Sequence, residues 1–333
     1  MRHRSKFLLM CLTACLTLCL AFCSLTAVSG LAAAADWPNR QVTVIVPFGA
    51  GGNTDMMSRL ASQDLSAKFG QTFVVENRPS AGGALGTRAV AAASPDGYTL
   101  EFAASSMVTL TPQVQKLDFD PAKELVPITN VGTGTQMIAI KRSLPAKTLP
   151  EFLAYAKANP GKLNFSVAGT QNISQLAPAL LFARAGVNIV MVPARSEPAA
   201  ISDLLAGNVD LYFGNSSSLL PYRDSDKIRL IAVGTAQRIP AAPDIPTVAE
   251  TLPGFEFSSW NGFLAPAQTP EPIVSTIRAE VTAFVKKPEI SQRLIKLGIV
   301  PGGLTKEQNE AVFRHDTEAF AAGIKAAGIT RPR

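Results

Sequence analysis

The chain has 333 residues, of which 47% are hydrophobic, and its formal net charge is +6. All four cysteines, Cys11, Cys15, Cys19 and Cys23, lie in one apolar run close to the N-terminus. Cleavage of this segment after Ala35 would leave 298 residues (333 less 35) without cysteine. Disulfides, thiolate nucleophiles and cysteine metal sites are thereby excluded from the mature chain.

The N-terminal segment, residues 1–35, has the features of a cleaved secretory signal peptide. A basic start precedes the apolar run, and a string of small residues precedes the polar Asp36. An uncleaved membrane anchor and a lipoprotein site at Cys15 are the alternatives, and the small-residue cleavage site favours the signal peptide. Without this segment 28 Lys and Arg oppose 25 Asp and Glu, a balance of +3. Such a weak, scattered charge does not indicate binding to nucleic acid or to a membrane surface.

Strands and helices alternate along most of the mature chain. Strands are predicted at residues 42–47, 72–76, 98–103, 137–141, 163–167, 189–193, 209–213 and 228–233. Helices are predicted at residues 54–69, 83–93, 148–159, 174–185 and 197–206. A Pro-rich connection over 239–253 leads to three more helices, at 270–287, 289–297 and 305–327. This order predicts an α/β fold with mostly parallel sheets flanked by helices, and leaves open which unit the helical tail packs on.

Glycine-rich turns follow the first two predicted strands. Main-chain amides that converge at a helix N-terminus bind anions, although an ordinary tight turn has the same sequence pattern. The first turn lacks both the dinucleotide fingerprint and the Gly-Lys-Ser/Thr of a P-loop. Arg78 in the second turn would either add charge to a site or form a surface salt bridge. The candidate ligand-binding residues of the two turns are Phe48, Gly49, Ala50, Gly51, Gly52, Asn53, Asp55, Arg78, Ala81 and Gly82.

Three further strand ends carry small hydroxyl and amide side chains. Such positions suit polar ligand contacts, although helix capping by Ser or Thr accounts for part of the pattern. The candidates here are Ser166, Ala168, Gly169, Thr170, Gln171, Asn172, Ala194, Arg195 and Asn215.

Signatures of catalysis are scarce in the sequence. No Gly-x-Ser-x-Gly motif occurs, and His315, the one histidine of the mature chain, lies in the last predicted helix, far from any loop motif. The acidic pairs at 118–120 and 224–226 lack the spacing of a calcium loop. We therefore predict a binding protein rather than an enzyme, with no catalytic residue, no metal and no cofactor.

The motifs in their order resemble the extracytoplasmic substrate-binding proteins of tripartite tricarboxylate transporters, the Bug-type receptors. The likeness covers nearly the whole mature chain. The residues that carry it are Trp37-Pro38, Pro47-Phe48-Gly49-Ala50-Gly51-Gly52, Asp55, Asn77-Arg78-Pro79, Ala81-Gly82-Gly83, Ser94-Pro95-Asp96-Gly97-Tyr98-Thr99-Leu100, Tyr155-Ala156-Lys157-Ala158-Asn159-Pro160-Gly161-Lys162, Asp203-Leu204-Leu205-Ala206-Gly207-Asn208-Val209-Asp210, Pro243-Asp244-Ile245-Pro246-Thr247, Pro253-Gly254-Phe255-Glu256, Trp260-Asn261-Gly262 and Ala265-Pro266.

The resemblance implies a two-domain periplasmic-binding-protein (Venus-flytrap, type II) fold whose hinge is two crossover strands, near residues 136–140 and 257–264. One domain would comprise 36–136 and 260–333, including the helical tail, and the other 137–259. The implied ligand is a small organic carboxylate, held between residues 48–53 and 166–172 by main-chain amides and water. The implied partners are the membrane subunits of a tripartite transporter, and the receptor would be a periplasmic monomer.

Two departures from the family pattern fall near the implied cleft. This chain has Pro193-Ala194-Arg195-Ser196 where the family often has Pro-Tyr-Lys-Gly, and Gln175-Leu176 where it often has His-Leu. We therefore expect a ligand that is unusual for the family, with Arg195 either meeting a second carboxylate or facing solvent. A role in ligand sensing for a signalling partner is the alternative to transport.

Overall fold

The computed structural model describes residues 37–169 and 173–326. The predicted signal peptide and three site candidates, Thr170, Gln171 and Asn172, lie outside the described residues. Within these two ranges no helix combines the length and the apolar character that crossing a membrane requires.

Short strands and helices alternate through most of the described chain. The strands are β1 Val42–Val46, β2 Phe73–Asn77, β3 Thr99–Ala104, β4 Leu125–Lys141, β5 Asn164–Ala168, β6 Val190–Ala194, β7 Leu211–Asn215, β8 Ile228–Val233, β9 Ser258–Pro266 and β10 Ile299–Pro301. The helices are α1 Asn53–Phe69, α2 Ala84–Ala91, α3 Ser106–Thr109, α4 Thr111–Val114, α5 Pro121–Glu124, α6 Leu149–Ala158, α7 Ile173–Ala185, α8 Glu197–Ala206, α9 Ser216–Leu219, α10 Glu271–Lys286, α11 Pro288–Lys296 and α12 Lys306–Ala326.

Helix boundaries follow local capping chemistry. Gly70, in the left-handed conformation, ends α1, and its amide donates to the carbonyl of Ser66. At the start of α12, the Thr305 hydroxyl accepts from the Gln308 amide while the Gln308 side chain accepts from the Thr305 amide. This reciprocal pair is the capping arrangement that the sequence predicts at residue 305.

The strands form two curved sheets that share one long strand. In the first sheet β2, β1 and β3 are parallel, and β9 lies antiparallel between β3 and β4. In the second sheet β7, β5 and β6 are parallel, while β4 pairs antiparallel with β7 and β8. The predicted α/β class with mostly parallel sheets flanked by helices is thus confirmed, and β4 and β9, which lead between the sheets, pair antiparallel with their neighbours.

The crossing between the sheets is narrow. Along β4, Thr135 pairs with Ser258 of the first sheet and the next residue, Gln136, pairs with Asn215 of the second. On the return strand, the Phe257 amide donates to the Gly234 carbonyl at the end of β8, one residue before β9 begins. Both chain crossings therefore lie side by side, as a hinge of two strands requires.

Separate hydrophobic cores support the two halves. Met57 and Leu65 of α1 pack with Ile277 and Phe284 of α10 beneath the first sheet. Phe152 of α6 belongs to the main core of the second half, and residues of α8 form a smaller cluster on its other face.

The last helix contacts both cores. Val312 and Phe313 of α12 pack on the first half, whereas Phe320 and Ile324 pack on the second. The Phe320 ring lies 5.7 Å from that of Phe257. Helices α10 and α11 belong to the first sheet, while α12 spans the two halves on one side of the hinge.

Candidate functional site

A cleft lies between the two sheets, at the carboxyl ends of the parallel strands. Its empty volume is about 780 Å³, a figure that includes open solvent at its mouth. The first half lines it with Pro47, Phe48, Gly49, Gly52, Asn53, Thr54, Asp55, Pro79, Ser80, Ala104, Ser106, Ser259 and Asn261; the hinge and the second half contribute Gln136, Ala168, Gly169, Ser174, Arg195, Ser196, Glu197, Tyr212 and Asn215.

Asp55 holds the first glycine-rich turn in shape from below. Its carboxylate accepts from the Gly51 amide at 2.9 Å, from Asn77 at 2.9 Å and from Arg59 at 3.1 Å. Asn77 also donates to the carbonyl of Phe48. Burial by itself would raise the pKa of Asp55, but the hydrogen bonds from Arg59, Gly51 and Asn77 outweigh it and hold this pKa below its ordinary value. Asp55 is therefore a charged support of the turn, with its oxygens already engaged.

The glycines of this turn let the two halves approach closely. A Cβ at Gly49 would lie 2.9 Å from the Cβ of Ser196, and one at Gly51 would lie 3.1 Å from Pro198. A Cβ at Gly52 would lie 3.2 Å from a carboxylate oxygen of Glu197. The β1–α1 turn thus packs against the start of α8, and the cleft is closed along this side.

Glu197, the first residue of α8, bridges the two halves. It is 7% exposed, and its carboxylate accepts from the amide of Asn53 in the other half at 3.0 Å. On its own side it accepts from Tyr212, from the Asn215 amide and from the Asn215 side chain. Burial, and next the negative charge of Glu197, raise the pKa of Tyr212 well above its ordinary value, so Tyr212 is a neutral donor.

Three buried polar atoms in the cleft lining have no partner in the described chain. They are Nδ2 of Asn53, Oγ of Ser106 and Oε1 of Gln136, and each residue is at most 3% exposed. Buried polar groups are almost always hydrogen-bonded, so these atoms are suited to meet a ligand or ordered water.

Arg195 gives the cleft a positive charge. Its side chain is exposed, lines the cavity and makes no ion pair among the described residues. By contrast, Arg78 donates to Glu76 at 2.7 Å and does not line the cavity. Of the two arginines proposed from sequence, only Arg195 lines the cavity.

Nine of the candidates lie together in the cleft lining: Phe48, Gly49, Gly52, Asn53, Asp55, Ala168, Gly169, Arg195 and Asn215. Ala50, Gly51, Arg78, Ala81, Gly82, Ser166 and Ala194 lie outside it. The hydroxyl of Ser166 is buried within β5, and the carbonyl of Ala194 accepts from the Gly169 amide. Thus the first turn and the strand ends of the second half do converge, while the second glycine turn contributes only Pro79 and Ser80.

Sequence reasoning missed the polar residues that form the floor. Gln136 and Asn261 lie inside the crossing strands β4 and β9, where an amide among apolar neighbours was the available signal. Glu197 gave no such signal, because an acid in the first turn of a helix is ordinary.

The Tripartite tricarboxylate transporter family receptor profile matches residues 57–328. The chain belongs to this family. A curated relative in Pseudomonas sp. (strain P51), the UPF0065 protein in the tcbD-tcbE intergenic region, is 33% identical over 286 residues, which are 85% of each chain.

Solved structures of similar proteins share the fold. The R. palustris protein Rpa4515 with adipate has a TM-score of 0.86 and 31% identity, covering 89% of this chain and 100% of its own. The periplasmic binding protein BugD has a TM-score of 0.83 at 30% identity, with 89% and 100% covered. MatC from Rhodopseudomonas palustris with bound malate has a TM-score of 0.79 at 30% identity, with 87% and 100% covered. The chain is therefore a Bug-type solute receptor with the two-domain periplasmic-binding-protein fold.

Proposed function

We propose that this receptor captures a small organic carboxylate in the cleft and delivers it to the membrane subunits of a tripartite transporter. The observation that carries the proposal is the cleft itself: Arg195, which has no ion pair among the described residues, lines it together with three residues that hold buried polar atoms without a described partner. Similar proteins hold adipate and malate, which supports a carboxylate ligand here.

Delivery would depend on hinge closure. We place the domains at 36–136 with 260–333 and at 137–259, and the change of pairing partner between Thr135 and Gln136 supports this division. A ligand that contacts both halves stabilises the closed form relative to the open one. We propose a periplasmic monomer exported by the signal peptide at residues 1–35, in keeping with the family and with BugD.

A thermal-shift screen of the mature protein against mono-, di- and tricarboxylates tests the ligand class. A ligand at 100 times its dissociation constant adds about 2.7 kcal/mol to the free energy of unfolding, which is a readily measured shift. No shift with any acid of the panel would refute the carboxylate proposal.

The Arg195→Ala variant tests the proposed charge contact. A hydrogen bond to a charged group contributes about 1.5–3 kcal/mol, so affinity for the best acid of the screen should fall by about tenfold or more in calorimetric titration. Arg78→Ala is the matched control and should leave affinity unchanged, because Arg78 pairs with Glu76 outside the cavity. Equal affinity of wild type and Arg195→Ala would show that Arg195 faces solvent.

The alternative is a sensing role, in which the liganded receptor is presented to a signalling partner. Deletion of the gene separates the two roles. Loss of solute uptake supports transport, whereas loss of a ligand-dependent transcriptional response with uptake intact supports sensing.

A further inference from the structure

Glu197 lies where the N-termini of two helices meet. It is the first residue of α8, and it accepts from Asn53, the first residue of α1. Gly52, the N-cap of α1, has no side chain with which to cap its own helix. Since helix N-termini favour negative charge, the two helices together stabilise this buried carboxylate. Its hydrogen-bond donors among the described residues are neutral: the main chain of Asn53 and Asn215, the Asn215 side chain and the Tyr212 hydroxyl.

This carboxylate accepts from a main-chain amide at the N-terminus of α1, and such amides are groups that bind anions. The Asn53 amide is the α1 amide that an anionic ligand in the first glycine turn would meet, and Glu197 fills it from a position 144 residues away in the chain. A second carboxylate at the same place would be repelled by Glu197 and would find this donor engaged.

The charge of Glu197 also fixes how the neighbouring amides face the ligand. A carboxylate only accepts hydrogen bonds, so the Asn215 side chain turns its Nδ2 toward Glu197. The Oδ1 of Asn215 then accepts from Nε2 of Gln136 at 2.8 Å, which leaves Oε1 of Gln136 without a partner in the described chain.

Asn53 presents the opposite polarity. Ser217 donates to its Oδ1 at 2.7 Å, which leaves Nδ2 of Asn53 without a described partner. Three residues of the cleft lining thus hold one acceptor, one donor and one hydroxyl, that of Ser106, without a partner in the described chain. These atoms match a neutral polar group such as a carboxamide or a hydroxyl.

We propose that Glu197 is a specificity-determining residue: it occupies the anion site at the N-terminus of α1, so that the ligand is a monocarboxylate whose other end is neutral and polar. The ligand carboxylate then binds beside Arg195, and its neutral end meets Asn53, Ser106 and Gln136. This inference rests on the proposed receptor function and narrows its ligand class.

The role of Glu197 as an internal anion can be tested without knowing the ligand of the receptor. In Glu197→Ala, acetate should occupy the vacated site and raise the melting temperature, whereas acetamide, which has the same shape but no charge, should not. Wild type and the exposed control Glu310→Ala keep the carboxylate position beside Arg195, so their melting temperatures should rise less with acetate than that of Glu197→Ala and should not rise with acetamide. An equal response of Glu197→Ala to acetate and acetamide, or an equal response of wild type to acetate, would overturn the proposal.

Acids of matched length test the specificity. Wild type should have about tenfold higher affinity for succinamate than for succinate, or for adipamate than for adipate. Glu197→Gln, which keeps the side-chain volume if the alanine variant does not fold, should shift this preference by about tenfold toward the dianion. An unchanged preference refutes the proposal. If none of these longer acids binds wild type or Glu197→Gln, the carboxylate receptor function is refuted. The acetate response of Glu197→Ala then still decides the role of Glu197.

Discussion

At the residue scale, three buried acids are stabilised in three different ways. Asp55 has Arg59 and several donors, and Glu197 has four neutral donor groups. Glu101 in β3 is fully buried, and among the described residues its carboxylate accepts one hydrogen bond, from the hydroxyl of Thr87 at 2.6 Å. Burial raises the pKa of Glu101 to about 7, although the Thr87 hydrogen bond opposes the shift. Of the three, Glu101 is the least compensated charge.

Replacement of Glu101 by Gln should stabilise the protein at alkaline pH. The unfolded carboxyl ionises near pH 4.5 and the folded one near pH 7. Below pH 4.5 the carboxyl is protonated in both states, so Glu101 does not lower the free energy of unfolding through its charge. The free energy of unfolding falls as the pH rises from 4.5 to 7, and above pH 7 the full loss is about 3 kcal/mol. Chemical unfolding at pH 4 and pH 8 measures the difference between wild type and Glu101→Gln.

The exposed Glu310→Gln serves as the control and should show no such pH-dependent gain. If the advantage of Glu101→Gln were as large at pH 4 as at pH 8, the stabilisation would come from packing rather than from ionisation.

At the element scale, the β1–α1 turn shows that glycines proposed to serve a ligand also serve a contact between the two halves. Its glycines are required where the start of α8 approaches, with Ser196 and Glu197 within van der Waals distance of the missing side chains. The turn therefore acts as a contact between halves as well as a source of amide donors.

Gly49→Ala should weaken ligand binding without unfolding either half. The added methyl would lie 2.9 Å from the Cβ of Ser196, so the halves must separate locally to admit it. We expect affinity to fall by about tenfold, or about 1.4 kcal/mol, while the free energy of unfolding changes by less than about 1 kcal/mol. Titration calorimetry measures the affinity, and urea unfolding measures the free energy of unfolding.

The neighbouring Ala50→Ser is the matched control, since Ala50 is exposed and lies outside the cavity lining. Full affinity in Gly49→Ala would show that closure tolerates this methyl group and that the contact is not limiting.

Capping residues in the sequence predicted the helices whose ends they mark. The sequence pattern did not predict the strand that belongs to both sheets. The Gly70 stop and the box at Thr305 located α1 and α12 because the signal lies within one turn of the helix end. Most of β4 was not predicted. Gly132, Gly134 and several threonines interrupt its apolar run, and because the strand is buried on both faces it lacks the alternation of apolar and polar residues that indicates a strand. The role of Glu197 escaped for a similar reason, since its partner in the other half is remote in sequence.

At the scale of the whole molecule, β4 and α12 tie the halves together at opposite positions along the chain. Strand β4 passes from the first sheet to the second and so forms one strand of the hinge. Helix α12 inserts Phe320 into the core of the second half. The two tryptophans, Trp37 and Trp260, both lie in the cores of the first half. Their fluorescence therefore reports on that half alone, whereas circular dichroism reports on both.

The two signals should give one coincident unfolding transition in the wild type and separate transitions in Phe320→Ala. Loss of this buried ring costs about 3 kcal/mol and removes an anchor of α12 on the second half. Phe152→Ala is the control: it damages the same core but leaves α12 anchored, so its two transitions should shift together. Coincident transitions in Phe320→Ala would show that the hinge strands alone couple the halves.

The position of β9 in the first sheet determines when that sheet can be completed. It lies between β3 and β4, and it joins Ser259 to Ser105 across 154 residues of chain. During synthesis, β3 and the first part of β4 each have an unpaired edge until β9 has been made. Open edges of this kind invite aggregation. The second half is formed by one continuous stretch of chain between the two crossings, whereas the first sheet needs strands from before and after that stretch.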